Sequence, residues 1–262
     1  MHRLSRVSRL GLVALAAGAM LLSFGNNAAA ETASDLAPVD IVAVSGLIDE
    51  VVVASIENAI KRSESNGAQA LVLQLNSRGA VVSHERMAGL LEKIADARIP
   101  VAVWVGPSSA RAFGLSAQLL TVADVRAMAP GALIGFTGPA LQVNGEETSF
   151  GDSSAILRTS SIGFSEARKE GILNFAGDDE GVPVVRNMLL ALDGIIVGGI
   201  ELNTVIETVD ETGQIVRDAT QARFYKLELT DQLMHTVASP PVAYLLFAIG
   251  LSLLIFEFFT AG

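Results

Sequence analysis

The chain is 262 residues long, carries a formal net charge of −10 and contains no cysteine. Its four lysines, Lys61, Lys93, Lys169 and Lys226, are scattered, so it offers no cation cluster for releasing counterions from nucleic acid or anionic headgroups. The lack of cysteine excludes disulfides and thiolate chemistry.

Arg3, Arg6 and Arg9 precede a short apolar run from Leu10 to Phe24, and Ala28-Ala29-Ala30 stand before Glu31. A basic start, a short apolar core and a small-residue end are the pattern of a secretory signal, which predicts processing after residue 30 and a linker over 31–39. At the other end, Pro240-Pro241 leads into an apolar run over 242–259 whose one ionisable residue is Glu257. At about 1.5 Å rise per residue such a run can cross a bilayer. Signal and anchor together predict a membrane protein whose main domain is extracytoplasmic.

Between these segments, strands and helices alternate. Asp40 to Gly46 reads as a short buried strand, and Val52, Val53, Ile56, Ala59 and Ile60 give a helix over 49–65. Ala70 to Leu75 is a second strand. Met87, Leu90, Leu91 and Ile94 form the next helical stripe, which Pro100 ends. Val101 to Val105 is a third strand with Trp104 in its buried centre, followed by a helix over 111–122 and a fourth strand over 124–128. This alternation predicts a mainly parallel sheet covered by helices.

From 136 to 185 the pattern loosens into polar glycine turns, with one helix between Ser153 and Phe175. Gly194 to Gly199 with 201–209 predicts a hairpin, and 222–229 another strand. The expected division is therefore a core domain at 40–185, a small β-rich juxtamembrane segment at 186–238 and a membrane helix at 239–262. No dinucleotide fingerprint or Walker sequence occurs.

Candidate chemistry is sparse. Ser116, His84 and Asp124 can be written as a triad, but a lone histidine in Ser83-His84-Glu85 reads more readily as a surface residue beside a helix cap, and Ser108 and Ser109 as caps of the following helix. Asp178-Asp179-Glu180 reads as an acidic turn, and no spacing of ligands suggests a metal or other cofactor.

Several stretches resemble the NfeD family, membrane-anchored relatives of the ClpP and crotonase folds. They are Gly46-Leu-Ile-Asp49, Asn76-Ser-Arg-Gly-Ala80, Ile99 to Val105, Met128-Ala-Pro-Gly131 with Ile134-Gly135, and the run from Val237 through the membrane helix. The resemblance implies an α/β fold with a ClpP/crotonase-like parallel sheet, further membrane spans after this one, partnership with stomatin-type (SPFH) membrane proteins and self-association. It also implies a serine nucleophile and a lysine base, a pairing that works when burial lowers the lysine pKa.

Here the chain departs from the family. Gly114 stands at the nucleophile position, Arg158 at the base position, and Arg78-Gly79-Ala80 replaces a Pro-Gly-Gly oxyanion turn. Arginine is no base at neutral pH. Ser116 and Lys169 are the substitutes available, although two residues of helix turn Ser116 by roughly 200° from position 114. Two functions follow: a catalytically degenerate module acting through protein contacts in membrane protein assembly or quality control, or a membrane-bound serine endopeptidase with a rearranged Ser116/Lys169 site.

The anchor is directly testable. The segment 242–259 should keep the protein in the membrane fraction through high salt and alkaline carbonate, and removing everything after Ser239 should release it. A truncated form that stays in the membrane would place the attachment elsewhere.

Overall fold

The computed structural model describes residues 36–175, 181–210, 212–225 and 240–260. The expected signal segment and the acidic turn at 178–180 lie outside the described residues.

In chain order the first half comprises β1 (Val39–Ser45), α1 (Glu50–Ser65), β2 (Ala70–Asn76), α2 (His84–Ala95) and β3 (Val101–Val105). Then come β4 (Arg111–Phe113), a 3-10 turn (Gly114–Gln118), α3 (Leu119–Val122), β5 (Val125–Met128) and β6 (Leu133–Gly135). The second half holds β7 (Gln142–Val143), β8 (Glu146–Glu147), α4 (Ser154–Leu157), β9 (Ser161–Gly163), α5 (Phe164–Lys169) and α6 (Val185–Leu192). It ends with β10 (Ile196–Val197), β11 (Ile200–Glu201), β12 (Val205–Val209), β13 (Ile215–Ala219), β14 (Ala222–Tyr225) and α7 (Pro240–Thr260).

The central sheet has the order β14-β1-β2-β3-β5 and is parallel throughout, as the alternation of elements requires. Its inner strands are almost wholly apolar because helices and loops bury both faces. Trp104 is buried in β3, and its indole N–H donates to the Val182 carbonyl at 2.9 Å.

The covering helices start where their caps dictate. The Asp49 carboxylate accepts from the Val52 N–H at 2.9 Å and the Ser83 hydroxyl from the Arg86 N–H at 3.1 Å, each satisfying an amide that the helix leaves open. Val52, Val53, Ile56, Ala59 and Ile60 of α1 and Met87, Leu90, Leu91 and Ile94 of α2 are buried. On their outer surface Arg86 joins α2 to Glu57 (2.6 Å) and Glu50 (2.9 Å) of α1, and Lys93 adds a second contact to Glu57 (2.8 Å). The bond from Arg86 holds the Glu57 carboxyl below the usual range against the opposing effect of its burial.

Two expectations require correction. The stretch 111–122 is not one helix. Arg111 to Phe113 is a strand, Gly114 has φ +61°, and a 3-10 turn leads into one turn of α-helix. A residue in the left-handed region breaks a right-handed helix, so the apolar spacing of this stretch serves a strand and a turn instead. Ser108 and Ser109 accordingly precede a strand and cap no helix.

Residues 186–225 carry the expected β character and also reach into the main core. Met188, Leu189 and Leu192 of α6 are buried in the main core, and β14 forms an edge of the central sheet. Only the short hairpins β10–β11 and β12–β13 stand apart from that sheet. Composition alone shows the β character of this region but not the sheet that receives its last strand.

A charge anchors that last strand. Asp40 of β1 is fully buried, and its carboxylate accepts from Arg223 Nε of β14 and from the Ser63 hydroxyl of α1, both at 2.6 Å. The Arg62 guanidinium also lies over the Tyr225 ring, 3.7 Å from its centroid. Following β14, α7 is one helix long and apolar enough to cross a membrane, with a mean hydropathy of 2.3.

Arg223→Met would leave the buried Asp40 carboxylate with one hydroxyl donor. The expected cost is about 3–5 kcal/mol in urea unfolding, read from the emission of Trp104, the single tryptophan. A change under about 1 kcal/mol would show that the pair does not hold the edge strand.

Candidate functional site

The candidate site forms where the second small sheet meets the carboxyl end of β2. β4 pairs in parallel with β6, and β6 in antiparallel fashion with β9. The main chain of Ser77, just past β2, locks this sheet to the central one. Its N–H donates to the Arg111 carbonyl at 2.7 Å, and its carbonyl accepts from the Phe113 N–H at 3.0 Å. Asn76 adds its side-chain oxygen to the Arg111 N–H at 3.0 Å.

This crossing brings two glycines together. A Cβ at Gly114 would come within 3.3 Å of the Gly79 Cα and 3.9 Å of the Arg78 carbonyl oxygen. Gly114 therefore stands against the Arg78-Gly79-Ala80 turn, at the end of β4, with no side chain to offer. Gly79 has φ +146°, which favours glycine, whereas Ala80 lies outside the left-handed region and strains nothing.

The turn is held by its own hydrogen bonds. The Ser77 hydroxyl donates to the Gly79 carbonyl (2.9 Å) and takes a long contact from the Gly79 N–H (3.3 Å). Ile48 N–H donates to the Gly79 carbonyl and Val81 N–H to the Ile48 carbonyl, both at 2.9 Å, which leaves the Ala80 N–H out of the ladder. The Gly79 N–H is thus turned to the Ser77 hydroxyl, and the Ala80 N–H lies outside these bonds.

The side chains expected to act do not converge. Ser116 is fully buried, and its hydroxyl donates to the carbonyls of Phe113 (2.7 Å) and Ser77 (3.2 Å). That bonding makes it a strut between the 3-10 turn and the end of β2. Lys169 is exposed at the last residue of α5, and Arg158 is exposed just after α4. Neither the exposure of Lys169 nor the bonding of Ser116 provides the buried Ser–Lys contact that such chemistry needs. The triad does not assemble either: Asp124 accepts from the Val101 N–H at 2.8 Å, and His84 lies in the first turn of α2. Among the described residues no group of three His, Cys, Asp or Glu side chains could hold a metal.

Three exposed apolar side chains lie in the segments that meet near the two glycines, beside the exposed Arg78 of the turn itself. Val81 follows the turn and is 60% exposed. Phe136 follows β6, is 47% exposed at φ +48°, and packs edge-on against Phe113 with centroids 5.3 Å apart. A bulky residue in the left-handed region costs of order 1–3 kcal/mol, a strain that collects at functional sites. Main-chain bonds from Phe136 to Ser160 (3.1 Å) and from Thr137 to Leu157 (3.0 Å) bring the end of α4 alongside, where Ile156 is 50% exposed.

Sequence reasoning missed this rim, because an apolar residue in an apolar run reads as core. The nearest signal was Phe136 itself, placed between Gly135 and Gly138 in a loop. A hollow of about 690 Å³ lies elsewhere, lined by Pro130, Gly131, Leu133, Gly163, Phe164 and Glu166, and none of the candidate residues borders it.

Comparison with known proteins agrees with this geometry at the level of fold and ancestry. No family model matches the chain. Membrane-bound protease PH1510 of Pyrococcus horikoshii is 23% identical over 246 residues, covering 84% of this chain and 52% of that protein, so the chain spans about half the length of the curated relative it matches. Among solved structures, 1510-N, described as a membrane protease specific for a stomatin homologue from Pyrococcus horikoshii, superimposes with a TM-score of 0.55 at 18% identity, covering 78% of this chain and 99% of that one. Its lysine-to-alanine variant in complex with a substrate peptide gives a TM-score of 0.55 at 19% identity, over 78% of this chain and 98% of that one. That relative is described as membrane-bound, and α7 of this chain is long and apolar enough to cross a membrane. The chain is a homologue of membrane-bound protease PH1510 and has the ClpP/crotonase-like fold, built on a central parallel sheet.

Proposed function

We propose that this chain is a membrane-anchored, extracytoplasmic ClpP-like module that grips an extended apolar polypeptide without cutting it, and acts in membrane protein assembly or quality control. One observation carries the reading. At the point where a nucleophile would face the backbone turn, the residue is Gly114, 3.3 Å from Gly79 by its missing Cβ. The two hydroxyls nearby are both buried and engaged, that of Ser77 with Gly79 and that of Ser116 with the Phe113 and Ser77 carbonyls. The backbone that would hold a peptide persists, and so does an apolar rim of Val81, Phe136 and Ile156. Because 1510-N is described as specific for a stomatin homologue, a stomatin-type membrane protein is the partner of choice for this chain. Self-association belongs to the same proposal.

A serine-directed fluorophosphonate should leave the full chain unlabelled, and peptides it binds should stay intact. Labelling that Ser116→Ala abolishes would return the endopeptidase reading to first place.

Phe136→Ala should weaken binding of an apolar peptide about tenfold or more, the usual effect of removing an exposed aromatic anchor worth over 1.4 kcal/mol. Phe136→Gly should weaken binding in the same way and in addition relieve the strain at φ +48°, because it removes the Cβ that alanine keeps. Unaltered affinity would exclude Phe136 from the grip.

A further inference from the structure

We infer that Gln118 is a positioning residue of the candidate site, whose buried side-chain amide holds the loop that carries Phe136. Gln118 closes the 3-10 turn that begins at Gly114, and it is 2% exposed. Its Nε2 donates to the Thr137 carbonyl at 3.1 Å and to the Pro139 carbonyl at 3.3 Å. Only the nitrogen of an amide can face two carbonyls, so these partners fix which way the group points. Its Oε1 is left buried with no partner. An unpaired buried acceptor is costly, and a methionine or leucine of similar size would fill the same space without one. What glutamine supplies beyond volume is the pair of N–H donors aimed at the loop.

The loop needs such a hold. Phe136 and Gly138 both stand in the left-handed region, at φ +48° and +70°, and a phenylalanine persists there only where its surroundings over-determine the backbone. Its N–H groups are held from one side, Phe136 by the Ser160 carbonyl (3.1 Å) and Thr137 by the Leu157 carbonyl (3.0 Å). Its carbonyls are held from the other, by Gln118. The Phe113 ring, one residue before the 3-10 turn, meets the Phe136 ring edge-on. Both ends of the turn thus act on one loop, Phe113 on the ring and Gln118 on the backbone that follows it. From the middle of the turn the Ser116 hydroxyl reaches the Ser77 carbonyl instead. These five residues therefore set the spacing between the Gly79 turn and Phe136. The effect on binding rests on the peptide-gripping reading above; the hold on the loop does not.

Gln118→Met keeps the length of the side chain and removes both donors together with the unpartnered oxygen. In the full chain, amide hydrogen exchange over 136–141 should quicken about tenfold or more, while β1, β2 and β3 keep the protection of the parent. Gln118→Leu is read in the same way if the methionine variant fails to fold. Unchanged exchange over 136–141, or an equal loss across the central sheet, would overturn the positioning role. Failure of both variants to fold would mark Gln118 as a structural residue and overturn it too.

Binding is measured separately, with a dye-labelled leucine–valine peptide flanked by lysines. Gln118→Met should weaken it about fivefold or more, yet less than about twofold when Phe136 is already alanine. A residue that acts through Phe136 has nothing left to lose once that ring is gone. Equal losses in the two backgrounds would mean that Gln118 acts elsewhere and would overturn the inference. A parent chain that binds no such peptide would overturn the role in binding, while exchange over 136–141 would still decide whether Gln118 holds the loop.

Discussion

The pairing of the Ser77 main chain with Arg111 and Phe113 is the constraint on which the rest of the site depends. It fastens a three-stranded sheet across the end of a five-stranded parallel one, with a donor bond of 2.7 Å and an acceptor bond of 3.0 Å. From that crossing follow the contact of Gly114 with Gly79, the bonding of the Ser116 hydroxyl, and the position of Phe113 beneath Phe136. Each is a local consequence of one backbone junction, so the shape of the site does not depend on which side chains it carries. A ladder needs only peptide groups, and every residue type here supplies them.

That separation sets apart what holding a peptide requires and what cutting one requires. Holding a peptide needs backbone donors, a rim of apolar side chains and a rigid floor. Cutting one needs in addition a nucleophile and a base whose pKa has been brought near neutrality by burial. Here the floor is the well-packed sheet, whereas Lys169 and Arg158 stand in solvent and Gly114 has nothing to ionise. The strained backbone at Phe136 leaves its ring half-exposed after β6.

Much of the fold was legible in the sequence. The strands from 40, 70, 101 and 125 announce themselves as apolar runs, and the stripes of α1 and α2 have helical spacing with a capping residue before each. The stretch from Arg111 was misread because its alanines and leucines satisfy a helical period, and only the positive φ of Gly114 denies it. β14 was recognisable as a strand but not as part of the central sheet, because nothing local tells Arg223 that its partner is Asp40. In the site, Gly79 and Gly114 could be singled out by motif. Phe136, Val81 and Ile156 could not, since their meaning lies in being exposed, a property of the assembled surface.

The Asp40–Arg223 bond joins residues 183 positions apart in the chain. Until Arg223 has been synthesised, β1 has an open edge and a carboxylate without its cation. The first strand of the sheet is thus among the last to be completed, and only shortly before the apolar helix follows it. Such an edge is a template for unwanted pairing during biogenesis, and its exposure lasts for most of the time the chain takes to appear. Synthesis of the chain is therefore the period of greatest aggregation risk, and the pairing of β14 with β1 ends it.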